Sequence, residues 1–79
     1  MGWEHIGSDG EVFSPHLYPN GMYRVANPEL GEVKHHAKNQ LSAREDQIEG
    51  YLARGFLLRM KGATHGKVNL IAADQIKRV

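Results

Sequence analysis

Between Leu41 and Met60 the sequence reads LSAREDQIEGYLARGFLLRM, and at Gly55 its apolar spacing changes from a helical period to strict alternation. A chain with that junction must run a helix straight into a strand, so the helix has to pack on a sheet. Ser42 stands where an N-cap belongs and Glu45 follows three residues later, the spacing of a capping box. Glu45 and Asp46 bring negative charge to the first turn, where the helix dipole favours it. Ile48, Tyr51 and Leu52 recur on one narrow face, and Arg54 closes the last turn. Gly55 takes the C′ place, where a left-handed backbone suits glycine, and Phe56 at C″ can reach back to Tyr51. The spacing predicts a helix over 43–54. Gly50 inside it reads as a tolerated weak spot.

Beyond Gly55, Phe56, Leu58 and Met60 share one side of a strand, and Leu57, Arg59 and Lys61 share the other. Residues 56–61 and 67–72, joined by Gly62-Ala-Thr-His-Gly66, form a hairpin. Val68, Leu70 and Ala72 are expected on its core side; Lys67, Asn69 and Ile71 are expected outside with Leu57, Arg59 and Lys61. Upstream, residues 22–26 and 32–38 read as a first hairpin around Asn27-Pro28-Glu29-Leu30-Gly31. In the first 21 residues, Gly7-Ser8-Asp9-Gly10, Pro15, Pro19 and Asn20-Gly21 mark turns between short extended pieces at Trp3–Ile6 and Glu11–Phe13. Trp3, Phe13 and Tyr18 there need a surface to cover, and the expected one is the chain's own domain.

The fold class that follows is α+β: a small antiparallel sheet of about four strands in the order hairpin, helix, hairpin, with the helix (about 43–54) on one face. The alternative has the first 21 residues adding one or two strands. The expected core holds Val25, Ile48, Tyr51, Leu52, Phe56, Leu58, Val68 and Leu70. A chain of 79 residues is expected to be one domain over 1–79, with a turn-rich segment at 1–21 and the hairpin–helix–hairpin core at 22–79. So small a core gains from association with another surface.

Composition removes several chemistries. The chain has no cysteine, which excludes disulfide frameworks, thiol catalysis and Cys-based zinc sites. No apolar run reaches membrane-span length, and the start MGWEHIGSDG lacks the basic and apolar regions of a signal peptide. Ile6 stands where a myristoylation signal needs Ser or Thr. The expectation is a cytoplasmic protein with no membrane partner. Gly62–Lys67 resembles a phosphate-binding loop only in passing: it is one residue short between the glycines and has Val68 where Ser or Thr would hold magnesium. His35 and His36 are adjacent on an expected strand and point to opposite faces, and no His-x-x-x-His pair occurs among the five histidines. No metal, no cofactor and no catalytic residue is therefore expected. Glu45, Asp46 and Glu49 read as a solvated helix face.

Charge is uneven along the chain. Residues 1–33 carry a balance of −4 and residues 34–79 a balance of +5, although the whole sums to +1. Lys34, His36 and Lys38 on one strand, with Arg59, Lys61 and Lys67 on the second hairpin, are the candidate nucleic-acid contacts, with Tyr23 and Trp3 as candidate stacking rings. The leading expectation is different. Leu57, Arg59, Lys61, Lys67 and Ile71 mix apolar and basic side chains on one face, the composition of an interface centre. They predict a small non-catalytic interaction protein that binds a larger protein partner or self-associates. Nucleic-acid binding through the basic face is the alternative, and a small enzyme or metal-binding protein a remote one. Short chains of this style are common among phage and mobile-element products, including inhibitors of host proteins.

Overall fold

A computed structural model describes residues 2–30, 40–62, 66 and 68–78. The fold is α+β, with one short helix and an antiparallel sheet of more strands than the expected four. The strands are β1 (Trp3–Ile6), β2 (Val12–Pro15), β3 (Tyr23–Ala26), β4 (Gln40–Ala43), β5 (Leu57–Gly62), β6 (Val68–Ile71) and the two-residue β7 (Lys77–Arg78); the helix is α1 (Ile48–Ala53). Their order across the sheet is β4-β3-β5-β2-β1-β7, with β6 on the free side of β5.

The junction at Gly55 forms as its residues dictate. Gly55 adopts φ 90°, donates its N–H to Leu52 O at 3.0 Å, and lets Phe56 N–H reach Tyr51 O at 3.1 Å. This is the Schellman pattern, and the accompanying apolar contact is present, with the Tyr51 and Phe56 rings 4.9 Å apart. Gly50 has nothing within 4 Å of where a Cβ would stand, so no close approach requires it.

The start of the helix differs from the expectation. Residues 40–43 are not helical. They are β4, paired with β3 from Tyr23↔Ala43 to Ala26↔Gln40. Ser42 is thus an exposed strand residue opposite Arg24 rather than a cap. Extended Arg44 takes the cap position instead (φ −75°, ψ 158°), and a 3₁₀ turn at Glu45–Gln47 leads into α1. Gln47 Oε1 accepts the Arg44 N–H at 3.0 Å, which supplies the reach-back half of a capping box two residues later than expected. The strand wins because it buries Ala43 completely and adds a ladder that a capped helical turn would forfeit. The expected strand at 32–38 lies outside the described residues, and the strand that pairs β3 as a hairpin is 40–43.

Two strands of the N-terminal segment, β1 and β2, belong to the sheet. Gly7 N–H bonds Glu11 O at 2.7 Å, and Asp9 Oδ1 accepts the Glu11 N–H at 3.0 Å, closing the turn between β1 and β2. β2 pairs β5 through Phe13↔Gly62, Ser14↔Lys61 and Pro15↔Met60, and β7 returns to pair β1. Phe13 consequently sits in the core.

The core comprises Phe13, Val25, Ala43, Ile48, Leu52, Leu58, Met60 and Ile71, with Trp3, Tyr23, Tyr51, Phe56 and Ile76 half-buried against it. Val25, Ile48, Leu58 and Met60 are fully buried, each worth roughly 1.5–3 kcal/mol by area removed from water. In β6 the facing is the reverse of the expectation. Leu58 pairs Ile71 and Met60 pairs Asn69, and directly opposed residues share a side of the sheet. Ile71 therefore points into the core, and Leu70 and Val68 lie outside, opposite Arg59 and Lys61.

Candidate binding face

The sheet face away from α1 is organised by a join in the strands. β2 and β3 both pair the same edge of β5, one after the other: Pro15 opposes Met60, His16 N–H donates to Arg59 O at 3.0 Å, and Val25 opposes Leu58. Between them the chain leaves the edge at His16 and returns at Tyr23. Tyr18-Pro19-Asn20-Gly21 closes that excursion. Gly21 at φ 79° donates to Tyr18 O at 2.9 Å, Tyr18 N–H donates to Met22 O at 3.0 Å, and Asn20 Oδ1 accepts the Met22 N–H at 3.0 Å. Pro19 sets its own φ and Gly21 tolerates the left-handed one, so the turn is local chemistry.

The excursion brings Tyr18 against two arginines from neighbouring strands. The Arg24 guanidinium carbon lies 4.4 Å from the Tyr18 ring centre and that of Arg59 lies 5.8 Å from it. His16 meets the same ring edge-on at 4.3 Å. Arg59 Nη1 donates to Gln40 Oε1 at 2.8 Å and ties β5 to β4 across β3. Lys61, two residues along β5, is exposed on the same side. Partial burial, then the charges of Lys61, Arg59 and Arg24, hold the His16 imidazole below its ordinary range. Leu17, between His16 and Tyr18, is 54% exposed.

Of the residues the sequence pointed to, Leu57, Arg59 and Lys61 share this outer face, opposite Ala26, Leu70 and Val68 in turn. Ile71 does not belong to it, since its side chain is in the core. Lys67, Lys34, His36 and Lys38 lie outside the described residues. Trp3 and Tyr23, the candidate stacking rings, both pack on the core. Arg24, His16, Tyr18 and Leu17 were not legible as site residues. The turn at Pro19-Asn20-Gly21 is visible in sequence, but what it folds onto depends on β2 and β3 sharing one edge of β5.

On the helix side, a pocket of about 140 Å³ is lined by Trp3, Glu49, Leu52, Ala53, Ala73 and Ile76. Among the described residues, no group of His, Asp or Glu is gathered as a metal site, and no helix is long and apolar enough to cross a membrane. Comparison with family models, curated proteins and solved structures gives no match.

Proposed function

We propose that this chain is a small non-catalytic binding protein whose outer sheet face docks on an acidic surface of a larger protein. The observation that carries the reading is the cluster of Arg24 and Arg59 around Tyr18, with the exposed Lys61 on the same side of β5. Interface centres favour arginine and aromatic side chains over lysine and glutamate, and this face has that make-up. The arginines are held in place before binding, by the Tyr18 ring and by Gln40, so less side-chain entropy is lost on docking. An inhibitor of a host protein, of the kind phage and mobile elements carry, would work by such surface occupation.

Nucleic acid is the second reading, because the same cations would contact phosphates. It is the weaker one. Tyr18 already packs against the Arg24 guanidinium and the His16 ring, so its ring does not offer a clean platform to a base. The test is fluorescence anisotropy with a labelled Asp/Glu-rich peptide, comparing wild type with Lys61→Glu. Lys61 is exposed, so its reversal leaves the fold intact. Weakened binding by the variant supports the reading; equal binding, or none by wild type at low salt, rejects it.

A further inference from the structure

We infer that a second copy of this chain pairs with the outer edge of β6, so that the two sheets run on as one across a two-fold axis at Asn69. Among the described residues β6 pairs only β5, and no backbone hydrogen bond leaves Val68–Ile71 toward any other strand or loop. Its other side presents backbone N–H and C=O groups that an extended strand can satisfy. Edge strands are ordinarily guarded by charge, by proline or by extreme shortness. β7, at one end of the sheet, is guarded in that way: it is two residues long, Lys77 and Arg78. β6 is Val-Asn-Leu-Ile, four residues with no charge and no proline.

Parity and charge name the occupant. A two-fold antiparallel partner aligns the faces of both sheets when like-facing residues oppose each other. Asn69 against its own counterpart does this. It opposes Met60 on β5, so it lies on the helix side, half-buried, and its side chain makes no hydrogen bond among the described residues. Two such amides meeting at the axis can exchange N–H···O=C bonds, and a lone asparagine pair of this kind fixes register. One residue to either side, Val68 of one copy meets Leu70 of the other on the outer side. Both are half-buried and outside the core cluster, and pairing covers them further. A register centred on Leu70 would instead set Asn69 against the apolar Ile71, at the cost of an unpaired amide. A second copy also brings a strand already held extended by four paired positions on β5, so it loses less chain entropy than a loose peptide would. Charge permits the join. Arg59 and Lys61 stand one strand in from the edge, opposite Leu70 and Val68. Across the axis the nearest cations are three strand spacings apart, about 14 Å, beyond a Debye length of about 10 Å at 0.1 M salt.

Sedimentation velocity on the full chain tests this. A four-residue edge makes a small interface, so a dissociation constant on the order of 100 µM is expected. The weight-average mass of wild type should rise with concentration from 8.9 kDa toward twice that value and stop there, because an isologous contact closes. Asn69→Asp and Asn69→Lys each place like charges at the axis and should dimerise roughly 10-fold more weakly or worse. Mixed one to one, they should recover a heterodimer, because opposite charges then meet. Hydrogen exchange on wild type needs no variant: amide exchange within Val68–Ile71 should slow as concentration rises. A wild type that stays monomeric to about 1 mM, growth past the dimer, single variants that dimerise as wild type does, a mixture that stays monomeric, or exchange independent of concentration would each overturn the inference. Pairing through β4, the uncharged edge at the other end, would leave the Asn69 variants unaffected and so falls among these outcomes. The inference stands on β6 and not on the outer face. A monomeric wild type that still binds the acidic peptide through Lys61 rejects it and leaves the proposed function standing; a dimer that binds no peptide does the reverse.

Discussion

Replacing Arg59 by alanine is expected to cost far more stability than replacing Lys61, although both are basic and lie on the same side of one strand. Arg59 is half-buried, donates to Gln40 at 2.8 Å and stands over Tyr18 at 5.8 Å. A hydrogen bond from a charged donor contributes about 1.5–3 kcal/mol, and an arginine over a ring about 0.5–1 kcal/mol. The apolar stem also covers sheet surface that alanine would expose. These terms overlap, so about 2 kcal/mol is the working figure. For a domain of this size each kcal/mol moves Tm by about 4–8 °C, which puts Arg59→Ala roughly 10 °C below wild type or lower. Lys61 is exposed, and its alanine variant is expected to stay within about 0.5 kcal/mol. Thermal and urea unfolding followed by circular dichroism measures both. Arg59→Ala within about 0.5 kcal/mol of wild type, or equal costs for the two variants, would refute the reasoning. A Gln40→Ala/Arg59→Ala cycle isolates the pair, with an expected coupling of about 1 kcal/mol.

Further outcomes follow from the same geometry. Gly50→Ala is expected to stabilise by about 0.8–1 kcal/mol, because the helix position is open and the Cβ meets nothing within 4 Å; a destabilised variant would mean that the helix packs against something there. Ile71→Ala is expected to cost about 2–5 kcal/mol and Leu70→Ala clearly less in denaturant unfolding, since only Ile71 faces the core; the reverse order would contradict the register of β6. His16 titrates below its ordinary range in the folded chain, through burial and the neighbouring Lys61, Arg59 and Arg24. The unfolded state therefore binds this proton more readily. Stability should fall as pH drops through about 6.5 in wild type, and less steeply in His16→Asn; parallel pH profiles would remove the cationic enclosure of His16.

Much of the fold could be read from local chemistry. The Gly55 stop, the Tyr51–Phe56 contact, the hairpin of β5 and β6 and the turns at Gly7–Gly10 and Pro19–Gly21 each depend on residues close in sequence, and each is present. What sequence could not decide is long-range. Ser42 and Glu45 satisfy a capping box on their own terms, yet β3 recruits residues 40–43 into the sheet and moves the helix start. The run Leu70-Ile71 is apolar on both sides, so alternation carries no parity there, and the register across the Gly62–Gly66 loop decides that Ile71 is inside. The proposed binding face shows the same limit. Arg59 and Lys61 look alike in sequence and differ in the structure because the Tyr18 excursion reaches Arg59 and leaves Lys61 exposed.

The most direct single measurement is a salt series of anisotropy titrations with two labelled ligands of matched charge, an Asp/Glu-rich peptide and a single-stranded oligonucleotide. An acidic protein surface as the true partner implies tighter binding of the peptide, lost on Lys61→Glu and weakened by salt. Tighter binding of the oligonucleotide, with a steep logarithmic salt slope, would contradict the proposed function and make the outer face a phosphate-contacting surface.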